Sequence, residues 1–432
     1  MSTRASPGRA VFGACLAAQA LITYGIATAA RSGCAPSTVV LGLAASFVPY
    51  AGALVAARSF DDERALRRFA LAAPFLLGGA FVLAPPVLSD DLYRYLWEGR
   101  LWLEGFNPYR FAPEDPALAH LRDDIWAHIN NKPLATIYPP LSQLLFVAAA
   151  WLGGNASTVK LLALLAHGAS VAVVARSCER PDAALALGLN PLLLSEGALN
   201  GHLDLLTGTA LWIAAWALTR ERFLPAAWAT SVAVGLKVVG VVILPLFIRR
   251  PKILVATAFC ASLLVAPLVL GRGPFEPASG AGQFAVRWQG NGSVFALVDW
   301  LSRHLVSDEL AGIVSRVVVA GLMLTLALHI VRRRVAPLPA ARTLLWAVLL
   351  LSPQVHPWYL AWLVPLEVAA GGSAGLLWSA TVLCAYAPLD GWLAEGRWEM
   401  PLGLQIFEYL TVFLALAMDP RRPSLRGAGA AP

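Results

Sequence analysis

Uncharged stretches close to 20 residues long recur along this chain, and a helix of that length crosses a hydrocarbon layer of about 30 Å. Residues 11–30, 38–57, 69–88 and 253–270 are the clearest. Residues 161–175, 183–199, 203–218, 311–331 (with Arg316 inside), 343–352, 360–375, 376–389 and 402–418 are shorter or interrupted. Charged residues make up 14% of the chain, too few to clothe the roughly three soluble domains that 432 residues would otherwise suggest. The first apolar stretch is long for a signal-peptide core and lacks a small-residue cleavage site, so it reads as a retained helix. The expectation is an all-α polytopic membrane protein, residues 1–432 forming one integral membrane domain.

The net charge of +7 invites a nucleic-acid surface, but the cations are dispersed in clusters between apolar stretches. Arg4 with Arg9, Arg58 to Arg68, Arg176 with Arg180, Arg220 with Arg222, Arg249 to Lys252, Arg332 to Arg334 and Arg421 to Arg426 hold 19 of the 33. Cytoplasmic loops collect such residues. Placing every cluster inside puts both termini, including the tail 419–432, in the cytoplasm and makes the number of crossings even. Residues 141–153 are too short to cross and read as a half-helix or re-entrant piece. Residues 226–248 begin and end at basic clusters and should turn back near Lys237, which gives 12 or 14 spans. The excess charge is therefore an orientation signal, with no nucleic acid as partner. Five isolated cysteines with no Cys-x-x-Cys pair point to neither a metal site nor a disulfide framework.

The loops left outside carry most of the acids and eight of the 15 tryptophans. The largest, residues 89–140, opens with Ser89-Asp90-Asp91-Leu92-Tyr93-Arg94-Tyr95. Adjacent carboxylates raise one another's pKa, which suits a general base; Ser-Asp-Asp is equally a helix N-terminal signature. Beyond it, Tyr93, Trp97 and Arg100, and also Asp91, Arg94 and Glu98, recur at helical intervals, predicting an amphipathic helix along the membrane surface. Gly105-Phe106-Asn107-Pro108-Tyr109 and Tyr138-Pro139-Pro140 follow as rigid aromatic–proline turns. Asn200-Gly201-His202-Leu203-Asp204 lies between two spans, where His202 and Asp204 either serve chemistry or cap helix ends. Lys237 sits alone in an apolar segment, a functional position by default in a membrane, with a lipid phosphate as the expected partner and snorkelling as the alternative. In the second outer loop, residues 271–309, Arg287 precedes Trp288. His356, between Pro353 and Pro357, is followed by Trp358. His356 and Arg287 could clamp a phosphate while Trp288 or Trp358 offers a stacking face.

Taken together, the Asp90-Asp91 segment with Gly99, the two aromatic–proline turns, Asn200 to Asp204, the Lys237 segment and His356-Pro357-Trp358-Tyr359 resemble the GT-C glycosyltransferases. The nearest likeness is to bacterial polyprenyl-phosphate-mannose-dependent mannosyltransferases. The resemblance implies a GT-C-like bundle of about 12–14 transmembrane helices with a large extracytoplasmic first loop that is catalytic and contains amphipathic helices. It implies a cell-envelope enzyme of the inner or plasma membrane, moving mannose from a polyprenyl-phosphate donor lipid to a hydroxyl of a glycolipid or glycan acceptor. An inverting displacement without metal or other cofactor is expected, with Asp91 as base and Asp90 as its alternate. Lys237, His356 and Arg287 would hold the donor phosphate; Tyr95, Tyr138, His202, Asp204 and Trp358 would line the substrates. Three spans precede the loop here, where many relatives have one. A polytopic transporter or lipid-linked sugar flippase is the competing class, though the inverted repeats it should carry are not evident.

Overall fold

The computed structural model describes residues 7–60, 62–270 and 288–420. Among them the regular structure is helical, and the sole bridge of β type pairs Gly290 with Gln354. Gly8–Arg31, Pro36–Ala57, Glu63–Val82, Ala156–Ser177 and Asp308–Arg333 are long and apolar enough to cross a membrane. Pro140–Trp151, Phe223–Leu236, Val238–Phe247, Pro251–Leu264, Pro337–Leu351 and Leu402–Met418 are shorter apolar helices. Asp308–Arg333 buries little beyond Ala311, Ser315 and Ile330, so its apolar surface faces outward, as a helix sitting in lipid requires.

Four expected elements are displaced or broken, the stretch 376–389 being divided between the helix Ala374–Thr381 and the 3₁₀ turn Val382–Tyr386. The span expected at residues 69–88 is the helix Glu63–Val82. It starts early because the Asp62 side chain accepts from the Ala65 N–H and caps the first turn, and Pro85-Pro86 follow its end. The stretch 183–199 is no single helix: Pro181–Gly188 and Pro191–Leu194 are separated at Asn190, whose side chain caps the second, and a π-turn, Ser195–Leu199, closes the segment. Residues 360–375 stop at Ala370, where Gly371 turns left-handed at φ +71°. The expected reversal at Lys237 is present. Helix Phe223–Leu236 ends there, Lys237 is extended, and the 3₁₀ segment Val238–Phe247 packs back on its predecessor with Gly240 against Val234.

The largest correction concerns Asp91–Leu103. It is a helix, but not one lying on a membrane with a wet face. Leu92, Arg94, Tyr95, Leu96, Trp97, Glu98, Gly99 and Leu101 are all buried. A Cβ at Gly99 would lie 2.1 Å from the Phe146 carbonyl oxygen, so this glycine lets the helix press onto Pro140–Trp151. On its other side, residues 104–139 wrap it. Arg94 pairs with Glu98 at 2.7 Å and donates to the Asn131 carbonyl at 3.1 Å; Glu98 accepts from Thr136 and Gln143, each at 2.6 Å. The periodic polar residues are therefore the glue of a buried seam, which periodicity alone does not separate from a solvated face. The two aromatic–proline turns are bonded to each other, Tyr109 Oη donating to the Tyr138 carbonyl at 2.9 Å.

Candidate active site

Asp90 and Asp91 stand at the head of helix Asp91–Leu103. Asp90 occupies the N-cap position but makes no side-chain cap; the Ser89 hydroxyl accepts from the Asp91 N–H at 3.3 Å. Both carboxylates are turned to Asn130 instead, whose amide donates to Asp90 Oδ1 at 2.5 Å and to Asp91 Oδ1 at 3.0 Å. The second oxygen of Asp91 accepts from the Tyr138 hydroxyl at 3.1 Å. Asp91 is thus half-buried and oriented, while Asp90 is exposed beside it.

Tyr138 joins this carboxylate to the cationic side of the site. Its ring lies 5.3 Å from Lys237 Nζ, and Tyr359 flanks the same ammonium at 5.9 Å. Lys237 pairs with Asp204 Oδ1 at 3.2 Å, and the Trp362 indole donates to that oxygen at 2.8 Å. Asp204 therefore holds Lys237 through Oδ1, while its Oδ2 lies 4.0 Å from His202 Nδ1. The space between Tyr95, Tyr138, Asp204, Leu236 and Lys237 is a cleft of about 250 Å³, counting the part open to solvent.

Gly201, at φ +81°, reverses the chain after the π-turn and delivers His202 into the same region. Its Nδ1 lies 3.1 Å from the Tyr95 hydroxyl. Trp358 is sandwiched between two imidazoles, with ring centroids 4.0 Å from His202 and 4.2 Å from His356 and near-parallel planes. This corrects the expectation of a stacking surface for substrate, because both faces of Trp358 are already covered. His356 Nε2 also accepts from Gln354 Nε2 at 3.1 Å, and the Ser352–Val355 turn is tied to Gly290 by two backbone hydrogen bonds. Tyr95 and Tyr138 are buried and act through their hydroxyls. Arg287 lies outside the described residues. Among the described residues, no three His, Cys, Asp or Glu side chains are grouped to hold a metal ion.

Electrostatics separate the two aspartates. Desolvation, then the Asp91 charge, pushes Asp90 up to about 6, an effect that water at its open side blunts. Burial pushes Asp91 upward as well, but His202, the Asn130 amide, Lys237 and His356 together bring it below the ordinary carboxylate value. Burial pulls His202 down to about 4 and His356 to about 3, so both are neutral at pH 7. Near neutrality, Asn130 and Lys237 are the groups that keep Asp91 ionised.

Asn130, Gln354 and Trp362 were not legible as site residues. Asn130 sits 39 positions from Asp91, and no local pattern links them.

The chain is a helical bundle in which an oriented carboxylate and a lysine are joined through Tyr138, and part of it matches a family of glycosyltransferases. Residues 79–250 match the MptA_B family, described as alpha-(1->6)-mannopyranosyltransferase, N-terminal domain. The protein is a membrane glycosyltransferase of mannosyltransferase type. The matched stretch contains Asp90, Asp91, Tyr95, Asn130, Tyr138, His202, Asp204 and Lys237 and ends before His356 and Trp358. No curated protein and no solved structure matches the chain.

Proposed function

We propose that the protein transfers mannose from a polyprenyl-phosphate donor to a hydroxyl of a glycolipid or glycan at the extracytoplasmic face, by inverting displacement with Asp91 as general base. The observation that carries this reading is the Asp91 carboxylate, fixed at one oxygen by Asn130 and at the other by Tyr138, with Lys237 on the far side of the Tyr138 ring. A base must be ionised before reaction and within reach of a hydroxyl; Asp91 meets the first condition, and it is half-buried and bonded to Tyr138, whose ring lines the cleft.

The acceptor oxygen attacks the anomeric carbon as its proton passes to Asp91, and the bond to the lipid phosphate breaks with its electron pair on the phosphate oxygen. Lys237 stabilises the charge that develops there. The neutral imidazole of His356 serves as an N–H donor rather than as a cation, and His202 is engaged with Tyr95. Asp204 and Trp362 keep Lys237 at this position, and Asp90 tunes the charge around Asp91 without taking the proton. The basic clusters between apolar stretches support the outward placement of the site.

Membranes bearing the protein should consume labelled polyprenyl-phosphate mannose and form an inverted product. Asp91→Asn should lower kcat by about 10² to 10⁴, the span of general-base effects, while donor binding persists. Full activity in Asp91→Asn refutes the base; no consumption of any polyprenyl-phosphate sugar by the wild type refutes the donor class.

A further inference from the structure

Behind His202, away from the cleft, lies an acid that the proposed chemistry leaves unused. Glu196 is in the π-turn Ser195–Leu199 and is only 2% exposed. Single π-turns inside helices are rare and recur at functional sites. Its Oε1 accepts from the Tyr386 hydroxyl at 2.7 Å, and Asn200 Nδ2 approaches Oε2 at 3.4 Å. Among the described residues, its ion-pair partner is His202, whose Nε2 lies 3.8 Å from Oε2. That Nε2 is fully buried and has no hydrogen-bond partner, while it is aimed at the acid. The gap is closed by a shift of less than 1 Å or by one water. A carboxyl so enclosed, with no lysine or arginine beside it, is held in its neutral form and becomes a donor.

Donor direction then propagates. If Glu196 donates to His202 Nε2, the ring proton of the neutral imidazole must sit on Nδ1, which donates to the Tyr95 oxygen 3.1 Å away. The Tyr95 hydroxyl keeps its own proton free to point toward Tyr138, whose ring it meets edge-on at a separation of 5.1 Å. Tyr138 in turn donates to Asp91 Oδ2 at 3.1 Å. Every donor in the row points toward the carboxylate, and such rows strengthen one another cooperatively.

We propose that Glu196 is a positioning residue: as a neutral donor to His202 Nε2 it fixes the Nδ1–H tautomer and so aligns the His202–Tyr95–Tyr138 row on Asp91. The inference rests on the assignment of Asp91 as base, but it makes a claim about His202 that can be read without turnover. No proton is gained or lost by the row in the resting enzyme.

Two substitutions separate donor from charge. Glu196→Gln keeps an N–H donor of nearly the same shape; Glu196→Met keeps the volume and removes the donor. The Gln variant should retain kcat within about threefold of wild type. The Met variant should lose kcat about tenfold or more, the size of one lost buried hydrogen bond, with KM for the donor unchanged. In parallel, ¹⁵N NMR of histidine-labelled protein, with the His202 signal assigned by its loss in His202→Gln, should show the Nδ1–H tautomer in wild type and Glu196→Gln and a changed tautomer population in Glu196→Met. An Nε2–H tautomer in the wild type overturns the proposal even if no transferase activity is found. Wild-type kcat in Glu196→Met, or a Gln variant as impaired as the Met variant, overturns it in an active enzyme. Absence of donor turnover in the wild type, with the tautomers as stated, sinks the transferase reading and leaves the Glu196–His202 arrangement standing.

Discussion

Removing Lys237 should do two separable things, and its pairing with Asp204 allows them to be measured apart. At 3.2 Å the ammonium and carboxylate attract by about 5 kcal/mol at an effective dielectric of about 20. Lys237→Met leaves Asp204 ionised, with its side chain 2% exposed and the Trp362 indole as remaining donor. Breaking a buried pair by deleting one partner costs about 3–5 kcal/mol. Lys237 is itself 21% exposed and so partly hydrated, which puts the expected loss near the lower end, about 3 kcal/mol. In an Asp204→Asn background no buried charge is stranded, and the substituted amide oxygen still accepts from Trp362, so the same lysine replacement should cost below about 1 kcal/mol. A double-mutant cycle of unfolding free energies in mixed SDS micelles should therefore give a coupling of about 2 kcal/mol. A coupling below about 0.5 kcal/mol, within ordinary additivity error, refutes the pair as a stabilising contact. Transfer assays on the same proteins separate the roles. Lys237→Met in the Asp204→Asn background should be stable yet inactive if the ammonium meets the departing phosphate. Activity restored along with stability would reduce Lys237 to a structural partner.

The remaining expectations are shorter. Asp90 is raised to about 6, so it is already neutral where Asp91, held below the ordinary carboxylate value, loses its charge; Asp90→Asn should therefore leave the acid limb set by Asp91 in place, and a shifted limb counts against the separation of the two carboxylates. By contrast, the Asp91 carboxyl stretch, identified by its loss in Asp91→Asn and followed by difference infrared titration, should titrate at higher pH in Lys237→Met on the Asp204→Asn background, because one of the groups that lowers Asp91 is gone. For sidedness, single cysteines at Arg122 and Arg250 in a protein freed of its five native cysteines should differ, the first labelled by an impermeant maleimide on intact cells and the second only after lysis; the opposite pattern reverses the proposed face.

How far the site could be read beforehand depends on how far apart its members lie along the chain. Apolar stretches announced the helices because length and lack of charge are local properties, and the break at Lys237 was legible because a lone cation inside such a stretch must be accommodated. Asp90 and Asp91 were visible as a pair for the same reason. Their partner Asn130 was not, since an asparagine in a long loop has no pattern that says which carboxylate it will meet. The helix Asp91–Leu103 was legible as a helix, but its burial was not: Arg94 and Glu98 look solvated until residues 131–143 close over them. The π-turn at Ser195–Leu199 was hidden in an apolar run. Glu196, a lone acid in that run, was the available signal, the same kind of signal that drew attention to Lys237.

The charge count at the cleft leads to a last expectation. Around the site near pH 7, Lys237 supplies one positive charge, Asp90, Asp91 and Asp204 supply three negative ones, and the two imidazoles are neutral. A phosphate leaving group adds further negative charge, so the single ammonium, already shared with Asp204, leaves the transition state undercompensated. A second cation is required by this arithmetic. The proposal of metal-independent transfer assigns that part to Arg287, whose planar fork suits a phosphate. Arg287→Ala should then raise KM for the donor and lower kcat, Arg287→Lys should recover part of the loss, and EDTA should leave the wild-type rate unchanged. Loss of activity in EDTA with recovery on adding Mg²⁺ or Mn²⁺, together with an innocuous Arg287→Ala, would hand the second charge to a divalent ion and refute metal-independent transfer. Lys237 would keep its part in either case, because its position between Tyr138 and Tyr359 depends on Asp204 and not on the identity of the second cation.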